Sequence, residues 1–233
     1  ASTVSFRPLP SQARADKSAL YDNGCVVQYH DTAQPSCLYG DHNASRRIVL
    51  LGDSHAANYF PALNIAAQQL GYQLDVRVKL GCTTADVEEW QYKFDRVFTE
   101  CADWRAAQLA DLAQHPADAV VVVNASNPPP DVFADGHLLQ RGDGTDAWVQ
   151  GQARTLQTLR NTGARIIVIR DNPRVPGIIA DCVASNMSRT SRCDFPRKYD
   201  DVLAWQRGNH YTATFARTLS DDLATLLREI LTT

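Results

Sequence analysis

No stretch of the chain approaches the roughly 18 consecutive apolar residues that a membrane-spanning helix needs. The opening run ASTVSFRPLPSQARADKSAL also lacks the apolar core of a secretion signal. The chain is therefore expected to be soluble, as a piece cut at a linker from a longer membrane protein would be. Charge of one sign is scarce as well. Lys and Arg number 23 against 26 Asp and Glu, a net charge of -3. That leaves no cationic excess for a phosphate backbone or an anionic membrane surface, so no nucleic-acid partner is expected. C-x-x-C and H-x-x-x-H are both missing, which argues against a zinc site, and neither metal nor cofactor is expected. There is no P-loop and no G-x-G-x-x-G. The serine turn at residues 52–56 is not G-x-S-x-G either, because Ala56 takes the second glycine position, and this disfavours an α/β-hydrolase elbow.

What is present suits one α/β domain. A chain of 233 residues with 44% hydrophobic and 21% charged residues can bury one sizeable core. The six cysteines fall in local couples, Cys25 with Cys37, Cys82 with Cys101 and Cys182 with Cys193. Short loops favour pairing within each couple, and disulfides imply an oxidising compartment outside the cytoplasm.

The run Ile48–Leu51 reads as a buried strand, with Gly52, Asp53 and Ser54 following it. Apolar residues then recur at helical spacing from Tyr59 to Leu70, and Gly71 offers a stop. The alternation continues with a strand near 74–80, a helix near 103–114 and a strand near 118–125. A helix ending at Gly163 follows, then the strand ARIIVIRD and a closing amphipathic helix from Thr212 to about Leu231. DVLAW is the candidate for a final strand, and residues 127–147 read as a surface loop. Alternating strands and helices imply a mostly parallel sheet covered on both faces. Reactive groups in such sheets collect at the carboxyl ends of strands, where Ser54, Gly81, Asn124 and Asp171 are all expected.

A serine at a sharp strand-to-helix turn presents its hydroxyl at the sheet rim, near helix N–H groups that stabilise negative charge. This suits a nucleophile, although Ser also caps helices well. Its base must come from His30, His42, His55, His115, His137 or His210, and His210 stands out because it precedes the final helix. The four tryptophans read as core or rim packing, with sugar stacking as the alternative.

The segments VLLGDSHAANYFPAL, KLGCTT and GNHYTATFARTL together resemble the SGNH hydrolase superfamily, most closely the SGNH domains fused to bacterial acyltransferase-3 (AT3) membrane proteins. The resemblance runs over roughly residues 38 to 231. It implies a three-layer α/β/α fold with a flavodoxin-like sheet in a catalytic domain spanning 41–233, preceded by a connector over 1–40. It further implies Ser54 as nucleophile and His210 as general base. Asp53 would support the turn, and backbone N–H groups of Ser54 and Gly81 would bind an oxyanion, with Asn124 or Asn127 as a third donor. In the superfamily an aspartate lies three residues before the histidine, but here Arg207 stands there. A cation beside an imidazole depresses its pKa, so Asp200 or Asp201 would serve as orienting acid, or Ser54 and His210 would act as a dyad.

The implied function is an extracytoplasmic O-acyltransferase domain. Its acyl group, expected to be acetyl, would come from a membrane acyltransferase domain and pass to a cell-envelope glycan hydroxyl. The alternatives are a carbohydrate esterase and a non-catalytic glycan-binding or partner-docking domain, the last favoured by Arg207.

Overall fold

The structure is a computed structural model that describes residues 6–126, 129–173, 179–186, 193, 198–199, 202–207 and 210–232, with backbone alone at 198, 199 and 207. Elements run in the order β1 (Val26–Val27), β2 (Leu38–Gly40), β3 (Arg47–Gly52), α1 (Ser54–Leu70), β4 (Gln73–Lys79), β5 (Glu88–Gln91), β6 (Arg96–Val97), α2 (Thr99–Gln114) and β7 (Ala119–Val123). They continue with β8 (Val132–Ala134), β9 (His137–Leu138), α3 (Arg141–Asn161), β10 (Arg165–Ile169), α4 (Ile179–Ser185), β11 (Lys198–Tyr199), β12 (Val202–Leu203), β13 (Trp205–Arg207), β14 (His210–Tyr211), α5 (Ala213–Thr218) and α6 (Ser220–Thr232).

The central sheet has the order β1-β4-β3-β7-β10, all parallel. β2 runs antiparallel along the outer edge of β4, at Gln73–Asp75, while β1 takes the same edge at Val78–Lys79. Side chains alternate between the faces of a strand, and a sheet covered on both sides needs apolar residues at every position. That is why Ile48–Leu51 of β3 and the whole of β7 are unbroken apolar runs. Ile48, Leu50 and Val121 pack against Phe60 and Leu63 of α1 and Leu227 of α6. On the other face, Val49, Leu51 and Val122 pack against Trp104 and Leu112 of α2 and Leu159 of α3. Each such fully buried side chain contributes about 1.5–3 kcal/mol. The three-layer α/β/α architecture with a mostly parallel sheet is therefore as expected.

Three local expectations need correction. DVLAW does not extend the central sheet. Val202 and Leu203 form β12 and Trp205 begins β13, and these strands form small antiparallel pairs with β11 and β14. The closing helix is two helices, because Leu219 caps α5 before α6 begins. The stretch 131–147 is not an unstructured loop. β8 and β9 form a hairpin at Asp135–Gly136, both with positive φ, as a type I′ turn requires. β8 also pairs with β5, giving a four-stranded antiparallel sheet, β6-β5-β8-β9.

A third apolar cluster lies apart from the two faces. It joins Phe6 and Ala13 to Ile179, Val183, Leu203 and Trp205, and includes Cys193. Backbone bonds tie this unit together, from the Leu203 N–H to the Arg7 carbonyl (2.7 Å) and from the Ala213 N–H to the Asp16 carbonyl (2.8 Å). All three local cysteine couples are disulfide-bonded.

Candidate active site

The turn that carries Ser54 depends on a close approach of β3 to β7. A Cβ on Gly52 would lie 1.9 Å from the Val123 carbonyl oxygen and 2.8 Å from the Ala56 Cβ, so glycine alone fits. Asp53 is the N-cap of α1. Its Oδ1 accepts the His55 N–H at 2.8 Å and its Oδ2 accepts the Ala125 N–H at 2.7 Å, which ties the end of β3 to the end of β7. Burial pushes the Asp53 carboxyl up, while the His55 charge and these two N–H donors pull against it.

Ser54 is thus the first residue of a 17-residue helix. Its Oγ lies 3.1 Å from Nε2 of His210 on β14, a contact across 156 residues of chain. Thr212 positions the histidine from the other side. It caps α5 by accepting the Phe215 N–H (3.1 Å), and its hydroxyl donates to the Leu203 carbonyl (2.6 Å).

Beside this couple stands a second imidazole. His55 is buried, its Nδ1 is hydrogen-bonded to Asp171, and its ring meets that of His210 edge-on with centroids 4.9 Å apart. Burial alone would lower the His55 pKa, but the Asp171 hydrogen bond and the charges of Asp53 and Asp171 raise it overall. For Asp171 burial works upward, and the His55 bond and charge with the N–H groups of Ser126 and Asn172 hold it below the ordinary carboxylate value.

Gly81 follows β4 at the same rim, in a left-handed conformation with φ +58°. The loop behind it is held from several sides. Cys82 is bridged to Cys101 of α2, the Thr83 N–H donates to Glu89 (3.0 Å), and Trp148 donates to the Thr83 hydroxyl (2.8 Å). Burial pushes Glu89 up to about 8. Asn124 belongs to this scaffold: its Oδ1 accepts the Thr84 N–H (2.8 Å), and its Nδ2 donates to the Thr84 hydroxyl (2.7 Å) and to Gln152 (3.3 Å). Asn127, Asp200 and Asp201 lie outside the described residues. The Arg207 backbone pairs with His210 across the β13–β14 ladder. Trp104 and Trp205 are buried in the core, and Trp90 stacks on Phe133.

The structure therefore brings Ser54, His210 and Asp53 to one rim, with Gly81 and Asn124 in the adjoining loops. The sequence offers His55 only as one of six possible bases and does not reveal its link to Asp171. The available signal is the position of Asp171 at the carboxyl end of a strand. A hydroxyl bonded to an imidazole at a helix N-terminus can act as a nucleophile, its proton passing to the ring nitrogen. Among the described residues, no group of three or more His, Cys, Asp or Glu could hold a metal ion, and no helix is long and apolar enough to cross a membrane.

Comparison with known proteins gives a family match. Residues 24–226 match the model of the SGNH domain that is fused to AT3 domains. A search of curated protein sequences finds no match. Among solved structures, the periplasmic domain of the lipopolysaccharide acetyltransferase of Salmonella ser. Paratyphi A superposes with a TM-score of 0.59 at 13% identity, covering 90% of this chain and 88% of that one. A family two carbohydrate esterase from Clostridium thermocellum, an active-site mutant, aligns with a TM-score of 0.44 at 13% identity, over 85% of this chain and 66% of that one.

Proposed function

The chain belongs to the family of SGNH domains fused to AT3 domains, and from that premise we propose that it is an extracytoplasmic O-acyltransferase domain acting through Ser54. The observation that carries this reading is the 3.1 Å contact between Ser54 Oγ and His210 Nε2 at the N-terminus of α1. His210 takes the Ser54 proton as Oγ attacks the acyl carbonyl. The oxyanion forms beside the helix N-terminus, with the Ser54 and Gly81 N–H groups as its donors. Collapse expels the donor's leaving group, which takes the proton from His210, and leaves the acyl group on Ser54. A glycan hydroxyl then gives its proton to His210 and attacks the ester, and Ser54 recovers its proton as it leaves. Asn124 serves this site by holding the 81–86 loop through Thr84.

The acyl group is proposed to be acetyl, delivered by a membrane AT3 domain, and the acceptor a cell-envelope glycan. Three disulfides support an oxidising, extracytoplasmic setting. With water in place of the glycan, the same steps make an esterase. Arg207, where the superfamily has aspartate, favours a second reading, a glycan-binding module without turnover.

The test is intact-mass analysis after incubation with an activated acetyl ester, with and without an oligosaccharide acceptor. An acetyl adduct on Ser54, discharged faster by the sugar than by water and yielding acetylated sugar, is the expected result. Discharge indifferent to sugar would make the domain an esterase. Sugar binding with no adduct would make it a binding module.

A further inference from the structure

Two side chains one helical turn apart on α1, His55 and Tyr59, bridge the same two segments of chain. His55 is hydrogen-bonded to Asp171 and lies edge-on to His210, with rings at 74°. Tyr59 donates its hydroxyl to Oδ1 of Asn172 at 2.9 Å and lies edge-on to Tyr211, with centroids 6.0 Å apart and rings at 82°. The result is two parallel rungs, Asp171–His55–His210 and Asn172–Tyr59–Tyr211. Both run from the loop after β10, across α1, to β14. Residues four apart share a helix face, so one face of α1 makes both rungs, and Ser54 heads that helix.

We propose that the two rungs are a clamp that fixes the His210 imidazole opposite Ser54, with His55 and Tyr59 as positioning residues; this rests on the Ser54–His210 reading above. Three observations carry it. First, β14 has two residues and pairs with β13 outside the central sheet, so backbone pairing alone defines its position poorly. Second, the anchor of the first rung is itself held by the backbone, because Asp171 also accepts the N–H groups of Ser126 (2.8 Å) and Asn172 (2.7 Å). A buried charged group with its hydrogen bonds satisfied holds one geometry. Third, the edge-on ring contacts are an arrangement aromatic pairs prefer, and they pass that geometry to residues 210 and 211. The charge state agrees, since His55 is raised and Asp171 lowered.

The test is the rate at which a fluorophosphonate labels Ser54, measured by mass spectrometry from about pH 6 to about pH 9. Labelling needs only the nucleophile and its base, not the acyl donor or acceptor. Folded His55→Gln and Asp171→Asn are expected to label about a hundredfold more slowly, the loss that a misplacement of about 1 Å brings. Tyr59→Phe keeps its ring against Tyr211 and loses the hydroxyl's hydrogen bonds, those to Asn172 and the Arg170 carbonyl among them, so about a three- to tenfold loss is expected. A residue that only stabilised the fold would lower the melting temperature while the folded protein labelled at the wild-type rate, and that result overturns the clamp. Side-chain 15N NMR, with His210 assigned through His210→Gln, gives a reading independent of chemistry and of the less conservative variants. One His210 tautomer in the wild type, replaced by averaged or doubled signals in Tyr59→Phe, supports the clamp; identical His210 signals in both overturn it. If wild-type Ser54 resists the probe, the catalytic reading fails, and the NMR comparison alone decides the clamp.

Discussion

Ser54 follows a strand paired on both sides within the central sheet, whereas His210 stands on a two-residue strand in a small hairpin built against the third apolar cluster. Ser54 is placed by backbone: the close contact of Gly52 with Val123, the cap by Asp53 and the helix that follows. His210 is placed mainly by side chains, through the rungs from α1 and the Thr212 cap. Backbone placement is stiff because it is built into the paired strands of the central sheet. Side-chain placement joins distant segments and is easier to perturb without unfolding the core.

Damage to the first region should therefore reach the whole fold, and the largest effect is expected from Gly52→Ala. Its Cβ would overlap the Val123 carbonyl, and a loss of about 3 kcal/mol or more is expected in urea denaturation. A variant of wild-type stability would show that the β3–β7 approach is not what sets the turn.

The disulfides sharpen the contrast. Loop closure assigns similar values, about 3 kcal/mol, to Cys82–Cys101 and Cys182–Cys193. Cys82–Cys101 is buried against the main core, so Cys82→Ser/Cys101→Ser should lower the global melting temperature. Cys182–Cys193 braces α4, which packs on β13. Cys182→Ser/Cys193→Ser should barely move the main transition yet lower Ser54 labelling about tenfold. Equal effects of both pairs on both readouts would erase the distinction between the regions.

A smaller effect is expected from pH. His55 is raised above its ordinary value of 6.5, so its stabilising contribution is complete below that value and is lost as pH rises through the folded pKa. Asp171 is held below 3.8, so its contribution is present above that value and is lost as pH falls through the folded pKa. The pair should stabilise most between about pH 4 and about pH 6.5. Melting temperatures measured from below this range to above it should show a plateau inside the range and a fall on either side in the wild type, and a flatter curve in Asp171→Asn.

The same division explains what could be read from the sequence. The β3-turn-α1 unit is legible because its signals are local: the apolar run Ile48–Leu51, the Gly-Asp-Ser turn after it and helical periodicity that stops at Gly71. His210 was singled out by its place before a helix and by family resemblance. The rungs were not legible, since Asp171 and His55 are 116 residues apart and only the folded chain brings them together. His55 is hidden by adjacency, because a residue next to Ser54 on a helix is turned well away from it and is not expected to share its partners. β1 and β2 are too short to show a period, and the β8–β9 hairpin was missed although Asp135–Gly136 is a strong turn signal.

The most direct test of the central claim is hydrolysis of p-nitrophenyl acetate by wild type, Ser54→Ala and His210→Ala, with folding of each verified by circular dichroism. Turnover in the wild type that falls by about a thousandfold or more in both variants is the result expected of a serine activated by its histidine. Turnover that survives in folded Ser54→Ala would contradict it.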